Sequence, residues 1–343
     1  MSDTASPPSS ASGAPARRRI AVIVNPTKFD DIDKVTGELA EVCAEEGWAE
    51  PLVIETTQDD PGVGQAMEAV EAGVDVVCPL GGDGTVRAVA TSLVGTDTPI
   101  GLLPGGTGNL LARNLELPVD SIVDALRIVL TGTNRRIDVG LVRLLPDSPS
   151  PDPLLGDVDD DSPRRDDEEV FLIMAGIGLD AEVMAGTSEK IKGVLGWPAY
   201  VISGLGKMWR KGFRVRVSGG SSQPRVQHAK TVLIGNCGRL QGNLEVLPDA
   251  ELDDGRLDGV IMAPTGPAGW ASVAADLASR QRRGHARLFP LKGTTITVVV
   301  EEPIETQVDG DPMGERYGMV TRILPGALLV RVPARDDGAD ESR

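Results

Sequence analysis

Two glycine-rich turns constrain the fold of this chain more than any other feature. Gly81-Gly82-Asp83-Gly84-Thr85 follows directly on the apolar run Val74–Leu80, and Pro104-Gly105-Gly106-Thr107-Gly108-Asn109 follows directly on Pro99–Leu103. Each run is short and apolar, as a buried strand is, and each turn opens onto helical spacing. In an open parallel sheet a ligand sits outside the carboxyl ends of the strands. Glycine admits positive φ and lets backbone N–H groups approach phosphate closely. Helix N-termini favour anions. Two such turns together therefore read as a double phosphate cradle, with Thr85 and Thr107 as further hydroxyl donors. Asp83 would repel phosphate unless a cation lies between, so it points to Mg²⁺. The competing reading is two ordinary tight turns with Asp83 as a helix cap.

The elements around these turns alternate. Arg18–Asn25 reads as a further buried strand and Pro51–Thr56 as another strand. Asp30–Gly47, Val63–Gly73, Val86–Val94, Leu110–Asn114 and Ser121–Leu130 carry apolar residues at helical spacing. Strand and helix in alternation predict a parallel sheet in an α/β domain over residues 18–136. After Arg135 the texture changes. Ile137–Leu144, Val170–Met174, Phe213–Val217, Val226–Ile234, Arg256–Met262, Thr294–Val300 and Ala327–Val332 read as strands, with helices expected at Val194–Lys211 and Ala268–Arg282. Residues 137–332 thus predict a β-rich, antiparallel sandwich-like domain. Residues 1–17 are rich in Ser, Pro and Ala and read as a disordered tail, as do 333–343.

Charge adds a second layer. With 51 acidic and 34 basic residues the chain carries −17, a poor balance for binding nucleic acid. Leu145–Glu169 alone holds ten acids, two bases and five prolines, and predicts a solvated loop. Two stretches run the other way. Lys190–Arg216 has seven bases and no acid, and carries Trp197, Tyr200 and Trp209. Arg280–Lys292 has five bases plus His285, again without an acid. Bases beside Trp and Tyr suit the headgroup region of an anionic bilayer. The alternative is a helix packed by its Trp residues with Lys and Arg in water. No apolar segment is long enough to span a membrane. The three cysteines, Cys43, Cys78 and Cys237, are widely spaced, which fits a reducing cytoplasm and core positions. A cytoplasmic protein that meets the inner face of the membrane peripherally is the expectation.

Several nucleotide-binding classes drop out. There is no GxxxxGK[ST] loop, no HRD or DFG, and no GxGxxG after the first strand. Asp309, in the segment Glu305–Asp311 (ETQVDGD), sits on an Asp-Gly turn signal. A carboxylate on a rigid turn can take the proton of an attacking hydroxyl. Leu252-Asp253-Asp254-Gly255 clusters carboxylates and carbonyls on a turn, which suits a hard cation; a solvated acidic turn is the alternative.

The ordered set Ile23–Thr27 (IVNPT), Pro79–Val86 (PLGGDGTV), Leu102–Asn109 (LLPGGTGN), Ala175–Val183 (AGIGLDAEV), Gly235–Ile261 and ETQVDGD resembles the diacylglycerol kinase catalytic family. That family takes in bacterial soluble lipid kinases, eukaryotic diacylglycerol kinases and sphingosine kinases. The resemblance spans roughly residues 18–332. It implies ATP- and Mg²⁺-dependent phosphorylation of a lipid hydroxyl, diacylglycerol first, at a membrane surface, by a two-domain fold with its active site in the inter-domain cleft. It implies nucleotide contacts by Asn25, Pro26, Thr27, Thr57, Gly81, Gly82, Asp83, Gly84, Thr85, Val86, Arg87, Gly105, Gly106 and Thr107. It makes Asp309 the general base and Asp254 a metal-site carboxylate, with the carbonyls of Glu251 and Arg256 beside it. Asp311 would assist with Mg²⁺ or orientation. The pattern is departed from at Lys28–Phe29, where many relatives have Gly, at Arg87 in place of Asn, and at Leu110 in place of Asp. Sphingoid-base and other lipid kinases, soluble kinases of the NAD kinase type, and a non-catalytic lipid or nucleotide binder remain open alternatives. A homodimer is also compatible with the resemblance.

Overall fold

The computed structural model describes residues 17–146, 163–178, 212–219, 224–240, 244–266, 268–270, 272–273 and 288–334. The first domain runs β1 (Ile20–Val24), α1 (Ile32–Glu45), β2 (Leu52–Glu55), α2 (Val63–Glu71), β3 (Val76–Gly81), α3 (Asp83–Leu93), β4 (Leu103–Pro104), α4 (Leu110–Asn114) and α5 (Ile122–Thr131). Its four strands are all parallel, in the order β2-β1-β3-β4. β1 and β3 are buried along their whole length, which explains why both read as unbroken apolar runs. Side-chain caps set the helix starts: Asp31 accepts from Lys34 N at 2.9 Å, and Ser121 accepts from Asp124 N at 3.1 Å.

The second domain runs β5 (Thr133–Leu145), β6 (Glu169–Phe171), β7 (Met174–Ile177), β8 (Phe213–Gly219), β9 (Arg225–Ala229), β10 (Thr231–Gly235), β11 (Arg239–Leu240), β12 (Leu244–Glu245), β13 (Leu257–Met262), β14 (Leu288–Gly293), β15 (Thr295–Val308) and β16 (Asp311–Val332). Every pairing among them is antiparallel. Most join one sheet with the path β14-β13-β10-β7-β15-β16-β5-β6.

The two domains share a continuous apolar core. Ala21, Ile23, Val77 and Ile100 of the first pack in one cluster with Ile137, Leu172, Leu328 and Val330 of the second. The end of β16 also extends the first domain's sheet: Ile100 bridges Val77 on one side and Val330 on the other. The expected boundary at 136/137 falls inside β5.

Four sequence expectations change. The strand expected over Val170–Met174 is two strands, β6 and β7, with Leu172 and Ile173 between them. The strand expected over Val226–Ile234 is β9 and β10, separated at Lys230. The acidic loop is not solvated to its end. Glu168 is buried, with its carboxylate on the buried guanidinium of Arg322 at 2.7 Å through both oxygens. Helix α3 begins at Asp83, three residues before the expected Val86. The helix expected at Val194–Lys211 lies outside the described residues, as does most of the one at Ala268–Arg282.

Candidate active site

The carboxyl ends of β1 to β4 lie side by side, which brings the loops after them together. Asn25 N donates to Leu80 O at 3.1 Å, locking the first loop to the end of β3. Asn25 Oδ1 accepts from Thr27 N at 3.1 Å and Thr27 Oγ1 at 2.8 Å, shaping the short turn at Pro26. Thr57 Oγ1 is engaged within its own loop, accepting from Asp60 N at 3.0 Å. Asp60 in turn caps α2 through the amides of Gly62, Val63 and Gly64.

The two glycine-rich turns are stacked backbone on backbone. Gly105 N donates to Gly81 O at 3.2 Å. A Cβ on Gly105 would lie 2.7 Å from Gly81 N, and one on Gly106 would lie 2.8 Å from Gly82 Cα. None of Gly81, Gly82, Gly84, Gly105 and Gly106 has positive φ. Gly105 and Gly106 thus serve the close approach of the second turn to the first, not a left-handed backbone. The left-handed residue here is Asn109, at φ 48°, whose Nδ2 donates to Gly106 O at 2.9 Å. Gly82, at the N-terminus of α3, has open space where a side chain would be.

Asp83 pins the second turn to the first. Its Oδ1 accepts from Leu110 N, the first amide of α4, at 2.6 Å, and its Oδ2 lies where a side chain on Gly108 would be. Burial pushes its carboxyl up, opposed by the amides of Leu110 and Asn109. The cap anticipated as the alternative reading is thus present, but on α4 rather than on its own helix. Thr85 is buried over Gly81, Val86 faces the core, and Thr107 is exposed.

Across from α3 stands the hairpin joining β15 to β16. Asp309 and Gly310 have φ 50° and 92°, both positive, as a two-residue type I′ turn requires. Asp-Gly is the sequence that tolerates this. The Asp309 carboxylate accepts three backbone N–H bonds: Leu172 to Oδ2 at 2.8 Å, and Ile173 and Met174 to Oδ1, each at 2.9 Å. Leu172 and Ile173 are the residues at which the expected strand breaks. Their amides turn to the carboxylate instead of to a neighbouring strand. A second layer holds them: Asn236 N donates to Ile173 O at 2.9 Å, and Cys237 Sγ to Leu172 O at 3.2 Å. Gln307 Oε1 accepts from Gly310 N at 2.7 Å and fixes the turn. Burial pushes Asp309 up to about 6, against the pull of these amides and of Arg87. Oδ2, with one amide bond, keeps a lone pair for a proton. No sequence signal marked the amide cradle.

Arg87 joins the halves. From α3 its Nη1 donates to Val308 O at 3.4 Å, and its Nη2 pairs with Asp311. Asp311, expected to help with Mg²⁺, therefore has a guanidinium partner.

The Leu252–Gly255 turn does not fit a divalent cation. Asp254 Oδ2 lies 2.9 Å from Lys292 Nζ, and Asp254 Oδ1 accepts from Arg256 N at 3.0 Å. Asp258 Oδ2 is 3.1 Å from the same ammonium. The cause is the β13–β14 register, which sets Lys292 opposite Asp258. Glu251 and Arg256 are exposed. Asp253 pairs with Arg135 at 2.7 Å. Asp138 fixes the turn from below, accepting from Gly255 N and Gly326 N at 2.7 Å each. Among the described residues no three His, Cys, Asp or Glu side chains group so as to hold a metal.

The basic stretch Lys190–Arg216 lies largely outside the described residues, including Trp197, Tyr200 and Trp209. Within it, Arg214 on β8 pairs with Glu301 at 3.3 Å. Of the second stretch, the described Lys292 is the ammonium between Asp254 and Asp258. Among the described residues no helix is long and apolar enough to cross a membrane.

Comparison with known proteins agrees with this layout. Residues 19–142 match the family model of the diacylglycerol kinase catalytic domain, and residues 172–332 match that of the YegS C-terminal NAD kinase beta sandwich-like domain. A Pseudomonas aeruginosa protein named "Probable lipid kinase YegS-like" is 30% identical over 303 residues, covering 86% of this chain and 89% of that one. A Bacillus subtilis diacylglycerol kinase is 26% identical over 319 residues, covering 91% and 93%. A crystal structure of a diacylglycerol kinase from Bacillus anthracis shares the fold, with TM-score 0.65 and 18% identity over 92% of this chain and 97% of that one.

Proposed function

The chain belongs to the diacylglycerol kinase catalytic-domain family of YegS-like lipid kinases, and on that premise we propose that it transfers the γ-phosphate of ATP to a lipid hydroxyl, with diacylglycerol as the acceptor and phosphatidic acid as the product. The observation that carries this reading is the carboxylate of Asp309, held by three amides on a rigid hairpin facing the N-terminus of α3. The amides at the start of α3 and the stacked turns at Gly81–Thr85 and Gly105–Thr107 receive the phosphates. Asn25–Thr27 and Thr57 border the nucleotide from the ends of β1 and β2. The acceptor hydroxyl lies against Asp309 Oδ2, which takes its proton as the oxygen attacks.

Mg²⁺ accompanying the nucleotide would supply charge neutralisation at the phosphates. The carboxylates of Asp83, Asp311 and Asp254 already have amide, guanidinium and ammonium partners. The protein meets its lipid as a peripheral visitor to an anionic surface, with Lys190–Arg216 as the contact.

The test is transfer of labelled γ-phosphate to diacylglycerol in anionic mixed micelles, beside sphingosine and NAD. Label in phosphatidic acid supports the reading. Label in sphingosine phosphate moves it to another lipid, and label in NADP overturns it.

A further inference from the structure

We propose that Arg87 is a catalytic arginine supplied in cis: its guanidinium, paired here with Asp311, moves onto the transferring phosphoryl group when ATP is bound. This rests on the kinase reading above and deepens it.

Three observations meet at this side chain. The first is position. Arg87 rises from the second turn of α3, directly behind the amides of the cradle, yet its guanidinium reaches the hairpin that carries the base. Its charge is felt by Asp309 itself. The gap is narrow here, since a Cβ on Gly84 would come 4.0 Å from Asp311 Oδ2. A phosphoryl group passing from cradle to hydroxyl passes the guanidinium.

The second is the charge balance. Asp83, Asp309 and Asp311 place three carboxylates around the path, in a chain of net charge −17. The phosphates add more negative charge. Arg113, near the second turn, is held on Gly108 O at 2.8 Å. Among the described residues, Arg87 is the cation that links the cradle to the hairpin.

The third is exchangeability. The Arg87 side chain is 18% exposed, but its partner Asp311 is 53% exposed. An ion pair with one partner so open to water contributes little to stability. A phosphate presents more charge and two oxygens in the geometry that a guanidinium fork matches. The nucleotide therefore displaces Asp311.

The step balances. The bond from Pγ to the β,γ-bridging oxygen breaks and its electron pair leaves with ADP. The hydroxyl oxygen forms the new bond to Pγ, and its proton passes to Asp309 and then to water. Charge spreads over the equatorial oxygens of the phosphoryl group meanwhile, and a guanidinium there lowers the barrier; arginines in this role are worth about 10³–10⁵ in rate.

The experiment compares wild type, Arg87→Ala and Arg87→Lys in the labelled-ATP assay, with ATP affinity measured separately by titration and folding by thermal melting. Arg87→Ala is expected to lose at least about 10²-fold in kcat while ATP affinity changes by less than about tenfold. Added guanidinium ion should restore part of that loss. Arg87→Lys keeps the charge but not the fork, and should recover little. If Arg87→Ala melts early, Arg87→Lys decides alone. Retention of kcat within about threefold by the decisive variant, or a loss confined to KM, overturns the proposal. A wild type that phosphorylates no acceptor overturns the kinase reading and this proposal with it.

Discussion

Asp309 and Met174 bond to each other in both directions: Met174 N–H donates to Asp309 Oδ1 at 2.9 Å, and Asp309 N–H donates to Met174 O at 2.8 Å. The hairpin and the first residue of β7 are thereby one unit. The carboxylate is oriented by backbone, which has few ways to move.

That orientation has a pH signature. Only ionised Asp309 can accept a proton, and burial lifts its pKa to about 6. The rate should plateau above this value and fall about tenfold per pH unit below it. Asp309→Asn should lower kcat by at least about 10²-fold and remove the limb. A wild-type limb near pH 4, the ordinary carboxylate range, would show that the base lies elsewhere. Read as linkage, the raised pKa makes the folded state bind the proton more tightly than the unfolded chain. The Asp309 contribution to stability is thus greatest in acid and is lost as pH rises from about 4 to about 6.

The stacked turns separate packing from binding. Gly105→Ala drives a methyl to 2.7 Å from the backbone nitrogen of Gly81, which cannot step aside. Such overpacking costs about 1–3 kcal/mol, or several degrees in Tm by circular dichroism. Gly82→Ala has room for its methyl and a φ of −87°, so the fold should melt within about 2 °C of wild type. The methyl enters the open face at the start of α3, and the KM for ATP should rise. Equal melting of the two variants would contradict the stacking.

Glu168 and Arg322 form a buried pair at 2.7 Å. Burial pushes the Glu168 carboxyl up, but hydrogen bonds from Arg322 and Arg165 outweigh this and hold it below its ordinary value. The stability it adds is present above about pH 4.3 and is lost as pH falls through the lowered folded value. Glu168→Ala should cost about 3–5 kcal/mol in urea unfolding, because the buried Arg322 guanidinium loses its only carboxylate among the described residues. Glu168→Met with Arg322→Met should recover most of it. A single-variant loss below about 1 kcal/mol would mean that the pair is not closed in solution.

Lys292 makes the Asp254–Asp258 pair independent of divalent metal. EDTA should leave the Tm of the nucleotide-free protein unchanged. Lys292→Met leaves two facing carboxylates and should lower Tm, with millimolar Mg²⁺ or Ca²⁺ restoring it. A wild-type Tm that drops in EDTA would return the turn to a metal role.

The first domain was largely legible because its elements are uniform. β1 and β3 are wholly buried, so each reads as an apolar run, and α4 falls at the expected Leu110–Asn114. The glycines marked the turns, though for contact between Gly105 and Gly81 rather than for positive φ. The site across from them was legible as an Asp-Gly hairpin but not as a cradle. Nothing in Val170–Met174 says that its ladder breaks at Leu172, since the cause is a carboxylate more than a hundred residues away in sequence. β16 escaped for a related reason. Its 22 residues pass a register shift between Leu324 and Leu328, around Pro325-Gly326, so only its last stretch, Ala327–Val332, read as a strand. Lys292 and Arg87 show the same limit. Each finds its acid through tertiary register, which local sequence does not encode.

The bridge between Ile100 and Val330 has a consequence for how the molecule is made. The first domain is synthesised before the strand that covers its sheet edge. Until then Ile100 has a partner on one side only, and an open edge invites pairing with other chains. The first domain therefore has to wait for the second, and a chain cut short before Leu328 would leave its completed half exposed.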